Sequence, residues 1–459
     1  MTEFALLLFV ISFFLTLGSD LSPQVDLRMS YGTILLCCYF FSSFFSRGRK
    51  GCPSFKSPTA MFFLSLLGFE IARAVYSLLE LSIAGSADRL HFLLLIQRLS
   101  SPLKWSLYAG CFAMSFSVFK TKNRIRRLLW LLSWCSFVLA MNAIPALLTK
   151  GYTGYIDKHG QVSFFYPFFY SHDLLSKYLI AHFAHINYSG DIIGLGFFSA
   201  LGLFFYTLHL LREKKIGRPG RTEEVSATSP IIPGIFAGTI ALAVVLILAR
   251  GTIISFFFAF FLCILGMLLK FRSRAQAIFV GAAFLLICGF LLWAGNLEGV
   301  WKEVQTLKQE TNATKQTSSS ANREGARRAV AIFRDYPLWG VGNDGFAIVS
   351  ERYAIPGAEQ TGIIEFRAVC HYLQILAEEG VGSLLYFAFI IAYFVDITRG
   401  LLKTDSRFCF MACLGLFASV LMILIHASFN YLMERFSIAM PVYILMGASL
   451  AVLRPDFEH

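Results

Sequence analysis

The sequence predicts an all-α polytopic membrane protein, and three observations carry this prediction. The first is composition: 56% of the 459 residues are hydrophobic and only 15% are charged, with a mean hydropathy of +0.64. A soluble protein of this length could not bury so much apolar surface. The second is that apolar runs of about 17 to 23 residues recur, each long enough to cross the roughly 30 Å hydrocarbon layer as a helix. The third is where the basic residues fall between these runs.

Apolar runs of spanning length occur from end to end, and we expect about 12 transmembrane helices from them. The predicted spans are 3–18, 31–46, 59–79, 102–119, 128–149, 190–211, 230–249, 252–269, 276–294, 371–396, 408–427 and 436–453. The first has neither a basic segment before it nor a small-residue cleavage site. We therefore interpret it as a helix and not as a signal peptide.

Lysine and arginine concentrate in every second connection between the predicted spans. The basic connections are RGRKGCPSFK at 47–56, KTKNRIRR at 120–127, REKKIGRPGR at 212–221, KFRSR at 270–274 and TRGLLKTDSR at 398–407. The positive-inside rule places them, and both termini, in the cytoplasm. The net charge of +12 is thus mostly a topology signal, and basic runs separated by membrane spans predict no nucleic-acid partner. The ten cysteines show no disulfide framework or metal spacing, so we expect no metal.

This topology leaves two long hydrophilic segments on the outer side, at about 150–189 and 295–370. The first is rich in aromatic residues, which is typical of a segment that lies along the membrane interface. The chain then divides into N-terminal transmembrane helices at 1–150, central transmembrane helices with the first outer segment at 151–294, the large outer loop at 295–370 and C-terminal transmembrane helices at 371–459.

The large outer loop contains the string GVGNDG, in which Gly340, Gly342 and Gly345 have the spacing of a dinucleotide-binding fingerprint. That fingerprint requires a strand before the glycines and a βαβ unit around them. Here the glycines follow a helical segment and Pro337, so we interpret them as a glycine-rich turn.

The segment NREGARRAVAIFRDYP at 322–337 predicts an amphipathic helix ahead of this turn. Helical periodicity places Ala326, Ala329, Val330 and Phe333 on one side and Arg323, Arg327 and Arg334 on the neighbouring side. Tyr336 precedes a proline, so the helix should end there. Guanidinium groups at the outer surface could bind the phosphates of a lipid carrier, or rest on anionic lipid headgroups.

Polar residues at the outer ends of the spans are further candidates. Arg250 separates two apolar runs, where an arginine either anchors at the surface or has a functional partner. His371 begins a span and could act as a general base or as a capping residue. His426 and Asn430 are four apart, so they should share one helix face and either support a site or link helices.

Taken together, these motifs resemble the O-antigen ligase and polymerase superfamily. The resemblance rests on Arg250-Gly251 at the start of a span, DYPLWGVGNDGF at 335–346, HYLQILAEEGVGSLLYF at 371–387 and HINYSGDIIGLGFF at 185–198, where Asn187 takes the family's asparagine position. It extends over roughly 185–450.

The resemblance implies a GT-C-type membrane glycosyltransferase that works without metal or cofactor at the periplasmic face of a bacterial inner membrane. Such an enzyme takes a glycan from undecaprenyl pyrophosphate. Its acceptor would be lipid A-core in a ligase, another carrier-linked glycan in a polymerase, or a protein side chain in an oligosaccharyltransferase. Of these three activities, we expect that of a ligase.

The resemblance also implies roles for individual residues. Arg250 matches the first of two pyrophosphate-binding arginines, and Arg323 and Arg327 compete for the second. The family's histidine position falls on Val369, so His371 is either a shifted equivalent or not catalytic. Possible supporting residues are Asn187, Arg367, His426 and Asn430.

A transporter or flippase is the alternative from a different class. It predicts internal repeats and charges along a path through the membrane. No repeat is evident, and the main charges inside a span are Glu70 and Arg73, which are three residues apart and able to pair with each other.

Overall fold

Long apolar helices make up most of the described chain, as the sequence predicts. The computed structural model describes residues 3, 7, 57–84, 89–148, 155–156, 162–163, 186–215, 229–246, 250–271, 323–354, 367–368, 370–431, 433, 436–455 and 457. The predicted spans 31–46 and 276–294 lie outside these residues, as does nearly all of 3–18 and of the outer segment at 150–189.

The helices in chain order are α1 (Pro58–Ala84), α2 (Arg89–Val118), α3 (Lys122–Leu148), α4 (Ile186–Lys215), α5 (Ile231–Leu246), α6 (Arg250–Phe271), α7 (323–335), α8 (Gly345–Val349), α9 (His371–Glu379), α10 (Gly382–Lys403), α11 (Arg407–His426) and α12 (Phe436–Val452). A 3₁₀ turn, Ser350–Tyr353, follows α8. Two short strands, β1 (Tyr155–Ile156) and β2 (Val162–Ser163), pair antiparallel.

Several helices are long and apolar enough to cross a membrane. Within the described residues there are five, and α5 and α12 are shorter apolar helices. The five are Pro58–Glu80, Gly190–Glu213, Gly251–Lys270, Gly382–Lys403 and Arg407–His426. They make the chain a multi-pass, helical membrane protein.

The helices form one continuous packing arrangement. Helix α4 contacts α3, α5 and α11, while α2 contacts α1 and α12, and α11 joins these groups through α12. The most apolar stretch of α11 is 89% buried, whereas that of α1 is 28% buried. A helix that is apolar on all sides belongs in the interior, so α11 is central and α1 turns one face to lipid. At Gly415 a Cβ would lie 2.6 Å from the Phe198 carbonyl oxygen, so this glycine lets α11 and α4 approach closely.

The basic connections and the outer loops lie at opposite ends of the helical bundle. At one end Lys122 sits 5.6 Å from the ring centres of Tyr206 and Phe408, and Arg407 lies 2.7 Å from His209. These residues flank the basic connections. The starts of α4, α6 and α9 and the α7–α8 loop lie at the other end, and this agrees with the predicted alternation.

Two sequence predictions about helices are wrong in detail. The span predicted at 371–396 is broken into α9 and α10 at Gly380, which has a φ of +56°. Helix α7 ends before Tyr336, as predicted, but its apolar face is displaced: Ala329 and Ile332 are buried, and Val330 is 42% exposed. The reason is that α7 packs against protein, in a small core with Leu94, Val341 and Phe346, and not along a flat membrane surface.

Candidate active site

Three buried polar residues contact one another where α4, α6 and α11 come together, and a fourth, at the start of α9, is linked to them through the backbone. We call Asp191, Thr252, His371 and His426 the histidine cluster; all four are at most 2% exposed. The His426 Nδ1 lies 2.8 Å from both carboxylate oxygens of Asp191. The Thr252 hydroxyl donates a 3.2 Å hydrogen bond to the same carboxylate. Burial in an apolar bundle makes these partners necessary, because an unpaired carboxylate there would be very costly.

His371 joins this cluster through the backbone and not through an ion pair. Its N–H donates to the carbonyl of Ala427, at 3.0 Å, just after the end of α11. The imidazole Nε2 lies 3.4 Å from the hydroxyl of Tyr386 on α10. The first turn of α9 is thereby attached to the same helix end that carries His426.

Gly251 explains why the Arg-Gly pair opens α6. A Cβ at this position would lie 2.3 Å from the His426 Nε2, so only glycine allows the imidazole to reach the helix backbone. With Nδ1 bonded to Asp191, a neutral His426 presents Nε2 as an acceptor on the side of Gly251. Arg250 is the first residue of α6 and directly precedes this contact. The start of α6 is fixed by the histidine cluster.

The structure separates the two candidates for the second arginine. Arg327 donates to Glu324 at 2.9 and 2.8 Å and also to the carbonyl of Tyr353. Hydrogen bonds from Arg327 and, to a smaller extent, from Arg328 lower the pKa of the Glu324 carboxyl to about 2. Arg323 is exposed, and among the described residues no hydrogen bond or ion pair engages it. Within that part of the chain, neither arginine contacts the histidine cluster.

Arg367 links the glycine-rich turn to the end of α11. Its guanidinium lies 3.7 Å from the Asp344 carboxylate and 5.1 Å from the centre of the Tyr431 ring. Its side chain is 31% exposed. Arg367 therefore lies beside the segment after α11, whose Ala427 carbonyl accepts from the His371 N–H.

A second buried polar group lies at the other end of α9. We call Glu70, Arg73, Glu378 and Glu379 the arginine-glutamate cluster. Arg73 is fully buried; it pairs with Glu70, as the sequence predicts, and with the Glu379 carboxylate at 2.5 Å. The indole N–H of Trp105 donates to Glu379 at 3.1 Å. Arg73, the one cation of the cluster, thus engages two of its three carboxylates inside the protein.

The arginine-glutamate cluster holds the glycine-rich turn in place. Arg73 donates to the carbonyls of Trp339 and Glu378 at 3.1 and 3.0 Å. From α2, Arg98 donates to the Gly340 carbonyl at 3.0 and 2.9 Å. The N–H of Gly342 donates to the Glu378 carbonyl at 2.9 Å. The turn therefore binds the protein's own backbone.

The glycines of this turn are required by conformation and by space. Gly340 and Gly342 have φ values of +62° and +87°, which disfavour residues with a side chain. A Cβ on Gly340 would lie 2.2 Å from the Glu378 carbonyl oxygen, and one on Gly342 would lie 2.4 Å from the Arg98 nitrogen. Helix α7, and not a strand, precedes them. The prediction of a turn is confirmed.

Some site residues were predicted from the sequence and others were missed. The prediction that His426 and Asn430 share a helix face is wrong, because α11 ends at His426 and Asn430 lies in the following turn, accepting from the Tyr431 N–H at 2.8 Å. Asn187 lies in the first turn of α4. Asp191 and Thr252 were missed. The signal for Asp191 was a carboxylate inside an apolar span, which is expensive and usually functional.

Similarity to a known family covers the middle of the chain. Residues 235–388 match the family model described as O-Antigen ligase, a narrower range than the resemblance at 185–450. The match includes Arg250, the α7 arginines and His371, and it leaves out Asp191 and His426. No curated protein matches the chain. Within the described residues, no group of His, Cys, Asp or Glu is arranged to hold a metal ion. The chain is a multi-pass membrane protein whose residues 235–388 are similar to the O-antigen ligase family.

Proposed function

We propose that this protein transfers a glycan from undecaprenyl pyrophosphate to a hydroxyl group of lipid A-core. The reaction takes place at the periplasmic face of a bacterial inner membrane, with both termini cytoplasmic. The fold is of the GT-C type with about 12 transmembrane helices, and the large outer loop at 295–370 faces the periplasm. The observation that supports the proposal is the histidine cluster, which links the start of α6 to the start of α9 through the end of α11.

Arg250 stabilises the leaving group in this proposal. When the acceptor oxygen attacks the anomeric carbon, the bond to the pyrophosphate oxygen breaks and its electron pair stays with the pyrophosphate. Guanidinium groups fixed near that oxygen stabilise the growing charge without a metal. The contact of Gly251 with His426 fixes the start of α6, and so supports such a role for Arg250.

The second guanidinium group that binds the pyrophosphate comes from α7. Arg323 is favoured over Arg327, because the Arg327 guanidinium is already engaged by Glu324 and Tyr353. Binding phosphate through Arg327 would require breaking those hydrogen bonds. Exposed Arg323 carries no such cost.

His371 is the proposed general base. It accepts the proton of the acceptor hydroxyl as that oxygen attacks the face opposite the leaving group, so the anomeric configuration is inverted. Its backbone bond to Ala427 and its contact with Tyr386 fix the first turn of α9. His426 is a positioning residue, because Asp191 and Gly251 occupy both sides of its ring.

The first test compares glycan pools in cells that lack the protein. We expect long glycans to accumulate on undecaprenyl pyrophosphate and lipid A-core to remain bare, with rescue by the wild type but not by Arg250→Ala or His371→Ala. Arg323→Ala should rescue less well than Arg327→Ala. Gels of lipopolysaccharide and of carrier-linked glycan measure both pools.

Other outcomes of this test contradict the ligase. Accumulation of single carrier-linked repeat units would identify a polymerase. A loss of glycan on protein alone would identify an oligosaccharyltransferase. Unchanged pools would exclude glycan transfer in this pathway, and unimpaired rescue by Arg250→Ala would exclude the proposed site.

A further inference from the structure

An open cleft with a volume of about 340 Å³ lies beside the glycine-rich turn. We call it the outer cleft; its lining includes Tyr76, Glu80, Arg98, Asp335, Trp339 and Arg352. The side chains come from the end of α1, the start of α2, the end of α7, the segment between α7 and α8, and the 3₁₀ turn after α8. Neither the histidine cluster nor the residues assigned above to pyrophosphate line it. Its volume is at the lower end of the roughly 300 to 1,000 Å³ of small-molecule sites.

Aromatic rings form one rigid wall of the outer cleft. The Tyr76 and Trp339 rings stack at 5.2 Å with an interplanar angle of 22°, and Phe69 stacks on Trp339 at 5.3 Å. Tyr76 is 43% exposed, so part of its ring area is accessible. The backbone of Trp339 is held by Arg73. Such a fixed flat surface packs against a ligand at little entropic cost.

Charged groups of both signs surround that wall. The Glu80 carboxylate lies 3.4 Å from the Arg98 guanidinium, and Asp335 accepts a 2.5 Å hydrogen bond from the Tyr353 hydroxyl. A carboxylate offers about four acceptor positions and a guanidinium five donors, so the exposed side chains of Asp335 and Arg352 retain capacity toward a ligand. The cleft therefore offers donors and acceptors beside an aromatic face.

This combination selects the chemical class of the ligand. Two carboxylates beside two guanidinium groups give the cleft no net positive charge to attract an anion such as a phosphate, and four charged groups disfavour an acyl chain. A neutral sugar ring fits both the aromatic wall and the charged groups. Its C–H face packs on an aromatic ring, while its hydroxyls donate to carboxylates and accept from guanidinium groups.

We propose that the outer cleft binds a sugar unit of the glycan that the enzyme handles, away from the bond that reacts. This proposal rests on the proposed function. The wall residue Trp339 precedes the turn that docks on Glu378, and His371 lies at the opposite end of α9, whose nine residues span about 13 Å. The bound unit is therefore separated from the reacting sugar, and the cleft contributes to affinity and glycan choice rather than to the chemical step.

The test measures glycan binding to the purified full-length protein in nanodiscs by calorimetry. Two probes are used: the oligosaccharide released from the carrier-linked donor and the core oligosaccharide released from lipopolysaccharide, both from the producing strain. Tyr76→Leu and Glu80→Gln should each weaken one probe about tenfold, the loss expected for one ligand contact in a formed site. Glu351→Gln is the matched control, since Glu351 is exposed, adjacent to Arg352 and outside the lining.

The two arms identify the source of the sugar. An effect on the donor oligosaccharide alone assigns the cleft to the transferred glycan, and an effect on the core oligosaccharide alone assigns it to the acceptor. Transfer assays on the same variants should show a raised KM with an unchanged kcat, and unchanged thermal unfolding would show that the fold is intact.

Failure of the cleft proposal is distinguishable from failure of the proposed function. If both probes bind both variants as they bind the wild type, while Arg250→Ala abolishes transfer, the cleft proposal is overturned and the function stands. If Arg250→Ala leaves transfer intact but Tyr76→Leu weakens binding, the cleft stands and the proposed catalytic site falls.

Discussion

At the scale of single residues, two groups of buried charges in the described part of the chain are held by specific partners. Asp191 bonds to His426 and Thr252, and Arg73 bonds to Glu70 and Glu379. Removing one partner from such a group typically costs about 3 to 5 kcal/mol, because the remaining charge stays buried. These pairs therefore specify which helix ends meet, whatever their net contribution to stability.

Gly251 provides the clearest single-residue prediction. We expect Gly251→Ala to reduce transfer strongly and to lower the thermal unfolding temperature, because the new Cβ would displace His426 from the start of α6. Thermal unfolding and glycan transfer are measured on the same preparation. Gly238→Ala on α5 is the control, since nothing lies within 4 Å of a Cβ there, and alanine should stabilise that helix by about 0.5 to 1 kcal/mol. Wild-type transfer by Gly251→Ala would contradict the positioning role of His426.

Glu324 makes the stability of α7 depend on pH. Its pKa is lowered to about 2, first by hydrogen bonds from Arg327, against partial burial that acts to raise it. In the unfolded chain the pKa of a glutamate is about 4.3. The stabilisation that ionised Glu324 gives to α7 is therefore complete above that pH and is lost as the pH falls through about 2.

The measurement is hydrogen exchange of the α7 peptide between pH 5 and 2, corrected for the intrinsic exchange rate and referred to α11. We expect protection of wild-type α7 to fall over this window. Glu324→Gln should reduce that dependence, because a glutamine does not titrate. Equal pH dependence in the two proteins would show that the ion pairs of Glu324 with Arg327 and Arg328 do not stabilise α7.

At the scale of elements, the break between α9 and α10 determines where the outer loop docks. Gly380 ends α9 with a φ of +56°, and the Val381 N–H donates to the Pro337 carbonyl at 2.8 Å. An unbroken helix would continue its own hydrogen bonds through this region and would not present them to the loop. One short helix thus carries His371 at its start and the docking site for the turn at its end.

Docking of the turn can be tested at Gly340. In Gly340→Ala, the Cβ would clash with the Glu378 carbonyl, and a positive φ costs a further 1 to 2 kcal/mol or so. We expect hydrogen exchange of residues 336–345 to accelerate at least about tenfold, while α11 remains protected. Gly68→Ala, with open space around its Cβ, is the control. Unchanged protection of the turn in Gly340→Ala would mean that the turn does not depend on this contact.

At the scale of the whole molecule, polar chemistry and basic connections occupy opposite ends of the helical bundle. The loop with α7 and α8 docks on the end of α9, the short helix between the two clusters, and Lys122 and Arg407 lie at the far end of the bundle. The positive-inside rule then predicts that the cluster end faces the periplasm.

Cysteine labelling tests this orientation in spheroplasts. A membrane-impermeant maleimide should label Glu351→Cys but label Asn123→Cys only after the membrane is permeabilised; both positions are exposed. The unsubstituted protein corrects for labelling of native cysteines such as Cys370. The reverse pattern would invert the topology and move the proposed site to the cytoplasm.

By itself, the sequence determined the membrane class, most boundaries of the described helices, the turn at Gly340 and the Arg250-Gly251 start of α6. These features depend on local composition and periodicity, which are readable in one stretch of chain. Tertiary structure decided the partners: Asp191 and His426 meet across 235 positions, and Arg73 reaches Glu379 on a distant helix. It also decided that α7 packs on protein and that Gly380 breaks a predicted span. The physical reason is that a pattern of apolar residues reports which side of a helix is buried, but not which helix covers it.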